Sequence, residues 1–131
     1  MKPTPLFISH VGVPLCTQAN GECTCMLQVE PHHFNSGGVV HGGVAYTLAD
    51  TAMGAALLSG LLEEERCVTI DITMLYFRPV LSGTVECVAK VVNRGSSIAS
   101  LEASVYAQGK VLVARASGNY AIVRARRPCE T

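Results

Sequence analysis

The chain has 131 residues, a natural size for one domain, and 49% hydrophobic against 15% charged residues is too apolar for a disordered chain. Ten Lys and Arg balance ten Asp and Glu, so no global field draws the protein to nucleic acid or an anionic membrane; the basic run Arg124, Arg126 and Arg127 is local. The opening MKPTPLFISH lacks the charged and long apolar regions of a signal peptide, which leads us to expect a cytoplasmic protein with its six cysteines (Cys16, Cys23, Cys25, Cys67, Cys87, Cys129) reduced. We expect a single domain over 1–131, with its core at about 20–123.

In chain order, residues 23–30 (CTCMLQVE) read as a first strand closed by Pro31. A Gly-rich loop (HHFNSGGVVHGG) then leads into a long apolar helix that stops near Gly60 to Leu62. Strand-like runs follow at 67–77, 84–93, 97–107 and 110–123, broken at Pro79, Ser82-Gly83, Arg94-Gly95 and Gln108-Gly109. In the run 67–77, Val68, Ile70, Ile72, Met74 and Tyr76 alternate with Thr69, Asp71 and Thr73, which predicts one face packed on the helix. The last three runs, joined by short turns, suit consecutive antiparallel pairing. One helix and one antiparallel sheet make an α+β domain. The small residues Ala45, Ala49, Ala52, Gly54, Ala55 and Ala56 let a curled sheet approach the helix closely.

The stretch Val44 to Leu62 approaches the length of a membrane span, but it contains Asp50 and many Ala and Gly, which favours the centre of a soluble core. Asp50 is its only charged residue. Burying a carboxylate costs several kcal/mol unless it is paired or hydrogen-bonded, so Asp50 is the first candidate for chemistry. Helical spacing aligns it with Gly43, Thr47 and Gly54 in a narrow polar or side-chain-free stripe. At the helix start, His41-Gly42-Gly43 offers backbone N–H groups for an anion or a developing oxyanion. The eight residues from Gly42 to Asp50 correspond to roughly 12 Å of rise, too far for one reacting group to touch both. Joint action would need two helices antiparallel across a two-fold dimer.

Asn35 could donate to a substrate carbonyl or hold an Asx turn in Asn35-Ser36-Gly37. His41 is expected to cap or brace the loop, and the Thr69 hydroxyl to reach Asp50 or its water. Asp71 is assigned a structural or solvent-facing role. Cys23-Thr24-Cys25 has no second Cys pair at zinc-ribbon spacing, and His32-His33 has no third ligand at suitable spacing, so no metal is expected. Met53, Leu57, Leu58, Tyr76 and Phe77 are candidates for an apolar pocket or for plain core.

The run Asn35-Ser36-Gly37-Gly38-Val39-Val40-His41-Gly42-Gly43, followed by Leu48-Ala49-Asp50, resembles the hotdog-fold acyl-CoA thioesterases of the phenylacetate-pathway (PaaI) type. The shared features are the N-x5-H-G-G spacing and the Asp seven residues after the second Gly. The resemblance implies a helix wrapped by a curved antiparallel sheet, in a homodimer that commonly pairs into a dimer of dimers. It implies hydrolysis of an acyl-CoA, coenzyme A being part of the substrate and no cofactor being required. Asp50 would be general base or nucleophile, Gly42 would polarise the carbonyl through its N–H with help from Asn35, and Thr69 would orient water. Arg78-Pro79 would border the nucleotide surface, and Arg94-Gly95-Ser96 would supply a second phosphate contact. The rival readings are a hotdog dehydratase or hydratase, suggested by His33-Phe34, and a non-catalytic acyl-CoA-binding module.

Overall fold

The computed structural model describes residues 6–13, 15–108 and 110–124. Asn20 and Gly21 both take positive φ, 55° and 79°, the backbone of a two-residue hairpin turn for which Asn-Gly is a favoured pair. They join β1 (Leu15–Ala19) to β2 (Glu22–Gln28), with Ala19 opposite Glu22. A short helix, α1 (Phe7–Val11), precedes them. β1 and the hairpin turn lie ahead of the first strand expected at 23–30, and β2 begins at Glu22.

The added strand also changes the state of the cysteines. Cys16 lies directly opposite Cys25 in the hairpin register, with Cα atoms 4.3 Å apart, and the two are joined by a disulfide rather than reduced. Cys23, Cys67 and Cys87 are free thiols, and Cys129 lies outside the described residues. The bridge closes a loop of sequence separation 9. Cys16→Ser is therefore expected to lower stability by about 2–3 kcal/mol through loop entropy. Thermal unfolding checks this: the variant melts below wild type without reductant, and the gap closes when reductant is added.

The long helix, α2 (Gly42–Leu58), starts two residues before the apolar run. It ends slightly short of Gly60, at Ser59, whose hydroxyl donates to Ala56 O at 2.7 Å. Four strands follow: β3 (Glu65–Tyr76), β4 (Thr84–Arg94), β5 (Ile98–Ala107) and β6 (Val111–Arg124). They form a six-stranded antiparallel sheet in the order β1-β2-β4-β5-β6-β3. The expected β4-β5-β6 meander is present, and β3 closes one edge beyond β6. Helix α2 touches all six strands, so the sheet curves round it: a hotdog fold in the α+β class. Leu48, Ala49, Ala52, Met53, Ala56 and Leu57 of α2 are buried against Cys25, Leu27, Cys87, Ala89, Leu101 and Val105 of the sheet. Each fully buried Leu or Met contributes about 1.5–3 kcal/mol, and the alanines allow the close approach that makes this burial complete. Among the described residues no helix is long and apolar enough to cross a membrane.

The expected alternation in β3 fails at one point. The register with β6 runs Thr69↔Tyr120 and then Asp71↔Asn119, which leaves Ile70 as an extra, bulged residue. A bulge of one residue exchanges the faces of everything after it. Ile72 and Met74 thus turn to the core, as Cys67 before the bulge already does, whereas Val68 and Ile70 are 54% and 53% exposed. Asp71 is carried to the exposed side, where its carboxylate accepts from Asn119 Nδ2 at 2.8 Å.

Candidate active site

Asp50 lies near the middle of α2, half-buried, facing β3 and β6. Its Oδ1 accepts from the Thr69 hydroxyl at 2.9 Å and from the Tyr120 hydroxyl at 2.7 Å. Thr69 and Tyr120 are directly opposed across the β3–β6 ladder, so pairing of the two strands brings both hydroxyls to one oxygen. Among the described residues nothing donates to Oδ2. Burial first, and the hydrogen bond to Asp50 second, push the Tyr120 phenol well above the ordinary tyrosine range. Cys67, on the same face of β3, is likewise pushed up by burial and then by the Asp50 charge. The carboxylate therefore has one oxygen held and one available to act on a water or a carbonyl.

Gly42 opens the helix. Its N–H has no acceptor among the described residues, while Gly43 N–H donates to His41 Nδ1 at 2.8 Å. His41 thus caps the helix, the structural role its position implied. A Cβ on Gly43 would sit 2.9 Å from that Nδ1, and one on Gly42 would sit 3.3 Å from the Tyr76 ring and hydroxyl. Both glycines are there because neighbours come close. The Tyr76 hydroxyl donates to Gly42 O at 2.6 Å, which ties the end of β3 to the first turn of α2. Burial, then neighbouring Tyr46, raise its pKa.

The Gly42 N-terminus borders a cavity of about 380 Å³ lined by Asn35, Val40, Tyr76, Phe77, Arg78, Pro79 and Val113, among others. Asn35 Oδ1 accepts from Gly37 N at 2.8 Å and Val39 N at 3.3 Å. This is the Asx turn, and it leaves the side-chain NH2 available at the cavity. A second hollow, lined by Phe77, Arg78, Lys110, Val111 and Leu112, adjoins the first through Phe77 and Arg78. Tyr76 and Phe77 line the cavity, whereas Met53 and Leu57 are core and Leu58 is exposed at the helix end.

The remaining candidates separate into distinct places. The Thr47 hydroxyl donates to Gly43 O at 2.8 Å, and both residues line a groove with Phe7, Val11 and His33 instead of the Gly42 cavity. Gly54 leaves room one turn beyond Asp50, since a Cβ there would meet only the Tyr120 ring at 3.9 Å. Arg94 donates to Gly60 O at 2.7 Å and pairs with Glu65 at 3.3 Å. With the Gly95-Ser96 turn that follows it, Arg94 stands at the opposite end of α2 from Gly42. His33 is buried: its Nδ1 accepts from Glu30 N and its Nε2 donates to Val11 O, tying α1 to the loop. The sulfurs of Cys16, Cys23 and Cys25 cluster within 4.8 Å of one another. With Cys16 and Cys25 bonded together, only Cys23 of the three keeps a thiol.

Tyr120 and Lys110 were not singled out from the sequence. Alternation along 110–123 puts Tyr120 on the face of Ala116 and Gly118, which reads as core; only the pairing of β6 with β3 shows that its hydroxyl meets Asp50.

Residues 37–114 match the thioesterase superfamily. Over 106 residues, covering 76% of this chain and 73% of the relative, the sequence is 31% identical to human acyl-coenzyme A thioesterase 13. A variant of the phenylacetic acid degradation protein PaaI of Thermus thermophilus superposes with a TM-score of 0.79 at 32% identity, covering 88% of this chain and 96% of that one. The BH2602 protein of Bacillus halodurans, solved with CoA, superposes with a TM-score of 0.74 at 29% identity, covering 76% and 70%. By these likenesses the chain belongs to the thioesterase superfamily and is a thioesterase.

Proposed function

We propose that the protein hydrolyses acyl-CoA thioesters to a free acid and coenzyme A, at a site assembled from two copies of the chain. The observation that carries this is the state of Asp50: one oxygen pinned by two hydroxyls, the other without a protein donor among the described residues. Asp50 takes a proton from water as the water oxygen bonds to the thioester carbon, or attacks that carbon itself to give a mixed anhydride that water then hydrolyses, freeing the acid and restoring the carboxylate. The carbonyl oxygen becomes an oxyanion held by Gly42 N–H with Asn35 beside it, and collapse breaks the C–S bond with coenzyme A leaving as thiolate.

Within one chain Asp50 is absent from the lining of the Gly42 cavity, in keeping with the roughly 12 Å of helix between them. A second copy supplies the missing half. β3 is an edge strand that exposes Val68, Ile70 and Leu75, the kind of apolar edge that pairs with another chain. An isologous two-fold contact there sets two α2 helices antiparallel, with Asp50 of each copy toward Gly42 of the other. The same arrangement carries the Arg94-Gly95-Ser96 turn toward the other copy's cavity. Arg78, with Lys110 close by, takes the phosphates of coenzyme A, and the apolar cavity walls take uncharged parts of the ligand. That BH2602 was solved with CoA supports this substrate class. The dehydratase alternative needs a histidine free to move a proton, and both ring nitrogens of His33 are engaged in the loop.

The test is thiol release from phenylacetyl-, benzoyl- and straight-chain acyl-CoAs, followed with a colorimetric thiol reagent. Release from at least one member is expected. Binding of acyl-CoA without release would move the protein to the acyl-CoA-binding reading.

A further inference from the structure

We propose that Tyr120 is a positioning residue for thioester cleavage: together with Thr69 it fixes Oδ1 of Asp50, so that Oδ2 is the oxygen presented to the reacting water or carbonyl. This rests on the proposed hydrolysis by Asp50. Two hydroxyls converge on one oxygen from adjacent strands, at 2.9 and 2.7 Å, and the Tyr120 hydroxyl lies 3.2 Å from Asp50 O as well. The carboxylate cannot turn about its Cβ–Cγ bond without breaking at least one of these contacts.

The phenol is also well placed to hold its partner. Tyr120 is 1% exposed, so water does not compete for the bond. Its raised pKa keeps it protonated, and therefore a donor, throughout the neutral range. Its ring fits because Gly118 has no side chain: a Cβ there would sit 3.1 Å from the ring and 3.2 Å from Met53. Backbone contact, ring packing and the Thr69 contact together leave the carboxylate one orientation, which is what a base or nucleophile needs to meet a reacting atom in line.

Tyr120→Phe keeps the ring and removes only the hydroxyl. With an acyl-CoA that wild type cleaves, kcat is expected to fall by about 10- to 100-fold while KM stays within about twofold, because what is lost is alignment in the transition state. Thr69→Val is expected to behave similarly. The double variant should lose less than the product of the single losses, and no more than Asp50→Asn, since both hydroxyls act through the same oxygen. A second readout needs no substrate. In protein labelled with carboxyl-13C aspartate, the infrared carboxylate band assigned by its absence in Asp50→Asn should shift in Tyr120→Phe. Should Tyr120→Phe not fold, a ring-fluorinated tyrosine at 120 keeps ring and hydroxyl and should move the same band.

An unmoved band, or a folded Tyr120→Phe with wild-type kcat and only a lower Tm, would overturn the role assigned to Tyr120 while leaving hydrolysis by Asp50 intact. Failure of wild type itself to release thiol across the panel counts against the hydrolysis reading and takes the positioning role with it.

Discussion

Asp50→Asn is expected to fold normally and to lose at least about 10³-fold in kcat, in the upper part of the range for removal of a general base. The substitution is unusually clean at this position. The Asn side-chain oxygen can still accept from Thr69 and Tyr120, as Oδ1 of Asp50 does. The new NH2 then takes the place of Oδ2, which has no protein donor among the described residues, so no hydrogen-bond conflict arises. An unchanged melting temperature together with lost thiol release would assign the loss to chemistry instead of to folding.

The second large effect concerns the oxyanion side. Gly42 is the first residue of α2, a position where proline is well tolerated. His41 before it has φ −59° and ψ 134°, the extended conformation that a residue preceding proline adopts. Gly42→Pro therefore removes the free N–H and keeps the helix, and the His41 cap on Gly43 is untouched. A Cβ at 42 lies 3.3 Å from the Tyr76 ring, which has to shift, and Tyr76 is half-exposed. Loss of an oxyanion donor costs about 10²–10³ in kcat, and that is the expected result for Gly42→Pro in steady-state thiol release.

The residues legible from sequence alone were those that broke a pattern. Asp50 stood out as a lone charge in an apolar helix, and His41-Gly42-Gly43 as a helix start with room for a ligand. The antiparallel meander followed from strand lengths and turn residues. What stayed hidden depended on pairing. The β1–β2 hairpin carried an Asn-Gly signal that a hydropathy reading passes over, and without β1 nothing set Cys16 opposite Cys25. The bulge at Ile70 has no local sequence mark, because Val68-Thr69-Ile70-Asp71-Ile72 alternates cleanly; it shows only in register with β6. Tyr120 was hidden for the same reason, its hydroxyl being defined by a cross-strand neighbour 51 positions away. Conversely, helical spacing grouped Gly43 and Thr47 with Asp50, whereas the α1 side of the molecule claims them.

The measurement that bears most directly on a shared site is complementation between two inactive variants. Asp50→Asn and Gly42→Pro proteins are unfolded, mixed in equal amounts and refolded together, and thiol release is compared with each variant refolded alone. Half of the dimers then pair one chain of each kind, and in these one site has both defects while the other has neither. Recovery of about a quarter of wild-type activity is the result expected for a two-fold composite site. Confirmed exchange of chains with activity no higher than that of the separate variants would contradict it, and would place Asp50 and Gly42 of the same chain at the same reaction.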